Sequence, residues 1–192
     1  MRVLAPHPVT LWLTGLPASG KSTLSVALDA RLRAAKRAAF VLDGDILRAG
    51  LSRDLGFSAL DRHENIRRIA EVSRLFNSAG MIVTAALISP YHADRALARE
   101  VIGADKFILV YLSTPLAVCE ARDPKGHYRR ARAGEIPEFT GVSAPYEVPQ
   151  HPALTLDTSA QDVESCVDAL LQAIDARIRG AARGKIPAGG ST

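Results

Sequence analysis

Cysteine is scarce in this sequence: Cys119 and Cys166 are the only two among 192 residues. Neither has a partner at metal-ligand spacing, and both fall in stretches that read as helix, so a reducing compartment fits best. The five histidines, His7, His63, His92, His127 and His151, are scattered, which argues against a zinc site. No apolar run approaches the length of a membrane span. The N-terminal stretch lacks the charged-then-apolar pattern of a signal peptide. A cytoplasmic protein with no membrane partner is therefore expected. The sequence also lacks Asn-Lys-x-Asp, the guanine-reading signature, which speaks against a GTPase switch. Its basic excess is modest, a net charge of +4. That excess suits either nucleic acid or a site holding several phosphate-type anions. Acids interleave with the arginines of the stretch 62–79 instead of leaving a continuous basic stripe, so no nucleic-acid partner is expected.

What is present is ordinary in amount, with 47% hydrophobic and 23% charged residues. This matches one globular domain of this length. The decisive stretch is Gly15-Leu16-Pro17-Ala18-Ser19-Gly20-Lys21-Ser22, which reads GxxxxGK[ST], a phosphate-binding P-loop. Before it, residues 9–14 form a short apolar strand; after it, Thr23 leads into a helix. Glycines at both ends permit the backbone geometry and close approach that a Cβ would obstruct. The helix start offers unpaired N–H groups and the positive end of a dipole to phosphate. The run Gly15–Thr23 is therefore the expected ATP site. Lys21 would reach the β- and γ-phosphates, and Ser22 would coordinate Mg²⁺.

Strands alternate with helices along the rest of the chain. Strands are expected at 38–42, 81–88, 107–112 and 154–157, and helices at 46–51, 62–79, 92–102, from Thr114-Pro115 onward, and 160–178. This order predicts an α/β, P-loop NTPase-type three-layer fold: a five-stranded parallel sheet with helices on both faces. The segment 122–150, rich in Pro, Gly, Lys and Arg without apolar periodicity, reads as a basic lid. Residues 1–180 make one domain, and 181–192 read as a disordered tail.

Three further stretches narrow the chemistry. Asp43 and Asp45 close the second strand, expected beside the P-loop strand. A carboxylate there can orient or deprotonate an acceptor hydroxyl, or help hold Mg²⁺; Asp-Gly-Asp is also ordinary turn chemistry. Arg48, Arg62 and Asn65 can converge as a fork of donors on a phosphate or sulfate. The run Arg122–Arg130 puts positive charge in the lid, where small kinases close over the transferring group.

Taken together, Gly15–Ser22, Leu42-Asp43-Gly44-Asp45 with Arg48, Asp54–Ser58, Asp61–Arg68, Ile88–Tyr91, Arg122–Gly126 and Glu138–Glu147 resemble the adenylylsulfate (APS) kinases from Thr10 to about Ile178. The resemblance implies transfer of the γ-phosphoryl of MgATP to the 3′-hydroxyl of APS. It makes Asp45 the catalytic carboxylate, with Lys21 and Lys125 supplying charge and Asp43 helping at the metal. Arg48, Arg62 and Asn65 would hold the phosphosulfate, while Phe57 and Phe139 would sandwich the adenine. Ser89 matches a serine that the family carries as a phosphoserine intermediate; direct in-line transfer needs no such step, and its hydroxyl can simply position substrate. A homodimer is a candidate assembly. The sequence departs from the family pattern at Pro17-Ala18, at His63 (usually Asn), at His92 (usually Arg) and at Leu87 (usually Phe). The rival reading is another small-molecule kinase of this fold, acting on a nucleoside or sugar acid.

Overall fold

Apolar strands flanked by amphipathic helices assemble in the computed structural model, which describes residues 3–5 and 7–183, as a single five-stranded sheet. The strands are β1 (Thr10–Gly15), β2 (Ala39–Asp43), β3 (Ile82–Ala86), β4 (Phe107–Leu112) and β5 (Leu154–Leu156). All pairings are parallel and the order is β2-β3-β1-β4-β5. Buried on both faces, β1 carries no exposed residue, as a central parallel strand must.

Alternation along β1 sends its side chains to two cores. Leu11 and Leu13 pack with Leu24, Leu28 and Leu32 of α1 (Lys21–Ala34) and Val167, Leu170 and Ile174 of α7 (Val163–Arg183). Trp12 packs on the other face with Ile66, Ile69 and Ala70 of α3 (Ala59–Ser78) and Ala98 and Ile102 of α4 (His92–Ile102). Truncating one of these fully buried leucines to alanine would cost about 2–5 kcal/mol. Arg31 bonds Glu164 and Asp168 at 2.8 and 2.9 Å, and Arg37, just beyond α1, bonds Asp175 at 2.8 Å, so that this end of α1 is tied to α7.

Several expectations need correction. β2 is not beside the P-loop strand: β3 lies between β1 and β2. α3 begins at Ala59, three residues before the expected start, because the Ser58 hydroxyl caps it by accepting from the Asp61 N–H. Its buried face runs Ile66, Ile69, Ala70, Ser73 and Asn77, leaving Ala79 exposed. Glu64 bonds both Arg67 and Arg68, and Glu71 pairs with Arg74. Pro115 is itself the N-cap of α5 (Leu116–Arg122), and the Thr114 hydroxyl turns elsewhere, to Ser19 and Thr158. The lid contains a helix, α6 (His127–Arg132), anchored where Asp123 accepts from the Tyr128 and Arg129 N–H groups. In α7 Val163 is exposed rather than buried. That helix runs through Arg183, past the expected domain end at 180; residues 184–192 of the expected tail lie outside the described residues. The short helix α2 (Gly44–Ala49) starts two residues earlier than expected, capped by the Asp43 carboxylate.

Candidate functional site

The carboxyl ends of the strands carry two cavities that share one wall. The larger, about 490 Å³, lies over the start of α1; the smaller, about 190 Å³, lies between α2, α3 and the turn after β3. Asp45, Ile88 and His127 line both.

The larger cavity is organised by residues 15–23. Gly15 ends β1 so close to β4 that a Cβ there would stand 2.8 Å from the Leu112 carbonyl oxygen. Gly20 takes φ +96° and Ala18 φ +58°, the left-handed turns that lead into α1. Pro17, Ala18, Gly20, Lys21, Ser22 and Thr23 line the cavity. Leu16 packs against Gly141, and Ser19 is fully buried, its carbonyl accepting from the Thr158 and Thr114 hydroxyls at 2.9 and 3.3 Å. Pro17 has no N–H to donate, but its carbonyl accepts from the Tyr128 hydroxyl at 3.0 Å, fastening α6 to the loop. The Lys21 ammonium donates to the Gly15 and Leu16 carbonyls at 2.9 and 2.6 Å. Burial pushes it down to about 8, against the opposing influence of Asp45 and Asp43.

The hydroxyl of Ser22 donates to Asp43 Oδ2 at 2.7 Å, while Asp43 Oδ1 accepts from the Asp45 N–H at 3.0 Å. Although two strand positions separate β2 from β1, the first turn of α1 reaches across to meet the end of β2. The pair offers hard oxygen donors of the kind a small divalent cation takes while keeping most of its shell as water and phosphate. No cluster of three His, Cys, Asp or Glu exists among the described residues.

The smaller cavity is lined by Asp45, Arg48, Phe57, Arg62, Asn65 and Ser89, so the arginine–asparagine fork does converge. Arg62, buried, donates to the Phe57 carbonyl at 2.8 Å and the Glu138 carbonyl at 2.7 Å. Arg48 donates to the Gly56 carbonyl at 2.7 Å, and its guanidinium lies 4.4 Å from the centre of the Phe57 ring. Burial and the like charge of Arg62 both push Arg48 down. Asn65 Oδ1 is buried and has no hydrogen-bond partner, the kind of orphan acceptor that a ligand donor completes. The Ser89 hydroxyl accepts from Trp12 Nε1 at 3.1 Å.

Two residues expected on the acceptor side lie elsewhere. Phe139 and Lys125 line the larger cavity, so Phe57 and Phe139 do not flank one space as a sandwich. Phe139 instead meets Tyr128 edge-on with ring centres 5.1 Å apart, which fixes it to α6. Lys125 reaches the shared wall through an ion pair with Asp45. Of the departures, His63 bonds Asp94 at 2.7 Å, His92 meets Arg95 at 2.9 Å, and Leu87 is buried against the smaller cavity.

Sequence reasoning missed several parts. Arg122, expected only as lid charge, donates to the Thr158 hydroxyl and carbonyl, both at 2.8 Å, and both residues line the larger cavity. Thr158 was findable, since it follows the last strand at the ligand-facing end of the sheet. The shared position of His127 was not, because it depends on a helix the lid composition conceals.

A family model described as adenylylsulphate kinase matches residues 7–157. The adenylyl-sulfate kinase of Marinobacter nauticus is 53% identical over 170 residues, 88% of this chain and 85% of its own length. That of Bacteroides thetaiotaomicron is 52% identical, covering 90% of this chain and 86% of its own. Among solved structures, the Mycobacterium tuberculosis APS kinase in complex with AMPPNP and APS superposes with a TM-score of 0.85 at 43% identity. That match covers 88% of this chain and 99% of the other. A hexameric APS kinase from Thiobacillus denitrificans matches at 32% identity and TM-score 0.65, over 88% of this chain but 29% of that one.

Proposed function

The chain belongs to the adenylylsulphate kinase family, and from that premise we propose how its residues divide the work. The enzyme is an ATP-dependent phosphotransferase of sulfate assimilation that phosphorylates the 3′-hydroxyl of APS, giving PAPS and ADP. The neighbour from Mycobacterium tuberculosis holds AMPPNP and APS together. By the same logic the larger cavity here takes ATP and the smaller one APS. The observation that carries the reading is the shared wall: Asp45 stands where the two substrates must meet.

Lys21 exchanges its two carbonyl partners for the β- and γ-phosphates, whose negative charge favours its ammonium form and so opposes the effect of burial. Ser22 and Asp43 are the residues that would hold Mg²⁺, which when bound neutralises charge on the phosphates. Asp45 accepts or orients the proton of the acceptor hydroxyl, and Lys125, now its ion-pair partner, turns to the transferring group as the lid closes. Arg48, Arg62 and Asn65 bind the phosphosulfate. The Phe57 ring, 59% exposed, offers its open face to the adenine. The Ser89 hydroxyl, held by Trp12, positions substrate and forms no covalent intermediate. We further read the protein as cytoplasmic and dimeric. Among the described residues no helix is long and apolar enough to cross a membrane. Val3, Leu4, Phe40 and Leu75 stand exposed around the edge strand β2 as a surface for a second copy.

Coupled ADP release from MgATP tests this, with APS, adenosine, AMP and gluconate compared side by side. Turnover is expected with APS alone, falling about a hundredfold or more in Asp45→Ala. An Asp45→Ala rate equal to wild type would remove the proposed base.

A further inference from the structure

The turn Ile88-Ser89-Pro90-Tyr91 closes the smaller cavity, and it rests on a buried side chain that none of the roles above uses. Arg95, on the first turn of α4, is 3% exposed. Its Nη1 donates to the Ser89 carbonyl at 2.6 Å. Its Nη2 donates to the Glu147 carbonyl at 2.6 Å and meets His92 Nδ1 at 2.9 Å. The Tyr146 ring lies 5.8 Å beneath the guanidinium, and the Tyr146 hydroxyl shares a hydrogen bond of 2.9 Å with Thr14.

Both ends of this clamp matter to the site. Ser89 sits at φ +37°, in the left-handed region that side-chain-bearing residues seldom adopt. Such a conformation persists only where its surroundings over-determine it. Here Trp12 holds its hydroxyl, Thr14 donates to the Ile88 carbonyl at 2.7 Å, and Arg95 holds its carbonyl. Glu147 ends the lid: its N–H donates to the Pro90 carbonyl at 2.9 Å and its carboxylate accepts from the His92 N–H. One planar fork thus ties the floor of the smaller cavity and the far end of the lid to a single helix. A lysine would hold the two carbonyls less firmly, because its charge is a point and its donors carry no fixed planar spacing.

We propose that Arg95 is a positioning residue for phosphoryl transfer, setting the Ser89 turn and the Glu147 end of the lid at the depth that APS requires. The proposal rests on the reading of the smaller cavity as the APS site. It is tested with Arg95→Ala, Arg95→Lys and Arg62→Met, measuring APS KM and kcat, AMPPNP affinity, and the response to sub-denaturing guanidinium. Arg95→Ala should raise the APS KM about tenfold, the scale of one or two lost charge-assisted hydrogen bonds, with AMPPNP affinity within twofold. Added guanidinium should bring that KM back toward wild type. Arg95→Lys should fold and show a smaller rise in the same direction, so it decides the matter if the alanine variant does not fold. An unchanged APS KM in folded Arg95→Lys would overturn the proposal. So would a parallel loss of AMPPNP affinity without guanidinium rescue, the mark of general loosening. An APS KM unmoved in Arg62→Met would instead overturn the assignment of the cavity itself, and the proposal with it.

Discussion

The donor and acceptor halves of the site are built by different means. Around the larger cavity one contiguous stretch, Gly15–Thr23, supplies much of the lining, and Lys21 bonds carbonyls only five and six residues away. Around the smaller cavity the groups come from α2, α3, the turn after β3 and the lid, so that Arg62 bonds a carbonyl 76 residues distant. The first half depends on backbone conformation and tolerates Pro17 and Ala18 in the loop. The second depends on side chains whose supports lie far away in sequence, and one lost support displaces several groups.

If that contrast is real, substitutions should separate the two substrates. Arg62→Met should have the largest effect, raising the APS KM by roughly thirtyfold, equivalent to about 2 kcal/mol, in initial-rate assays. AMPPNP affinity measured by calorimetry should stay put; a joint change would show that the halves are not independent. Gly20→Ala strikes the other side. Forcing a Cβ at φ +96°, 3.3 Å from Thr158, should cost about 1–2 kcal/mol and weaken AMPPNP roughly tenfold while leaving the APS KM within twofold.

Lys21 sharpens the contrast through protons. Burial lowers it from 10.5 to about 8, so above pH 8 the folded protein has shed a proton that the unfolded chain keeps up to 10.5. Stability of the free protein from this group therefore rises through that window, and nucleotide binding must return the proton. Calorimetry in buffers of different ionisation enthalpy should find proton uptake on AMPPNP binding near pH 8.5 that is larger in wild type than in Lys21→Arg, the difference vanishing by pH 6. Smallest of all, Arg31→Ala should lower stability by less than about 1 kcal/mol, in a salt-dependent way, without altering either substrate constant.

Legibility in the sequence follows the same divide. The P-loop, the alternating strands and the Asp43-Gly44-Asp45 turn are local patterns, and periodicity with motif spacing was enough to place them. The order of the sheet was not local: the sequence does not show that β3 intervenes between β1 and β2. Arg48, Arg62 and Asn65 were placed on one cavity by their spacing and by resemblance. That Phe139 lines the larger cavity was not legible, because nothing in the lid composition announces α6, whose Tyr128 meets that ring edge-on. Arg95 carried no signal at all, since an arginine on an amphipathic helix reads as solvated until its carbonyl partners are known.

Asp43 divides its two oxygens between two donors, one the Ser22 hydroxyl, the other the N–H of Asp45. The carboxylate plane is rigid, so these attachments behave as opposite ends of a short lever whose fulcrum is the end of β2. Whatever shifts Oδ2 is therefore felt at Oδ1 and, through it, in the backbone of Asp45, on the wall that the two cavities share.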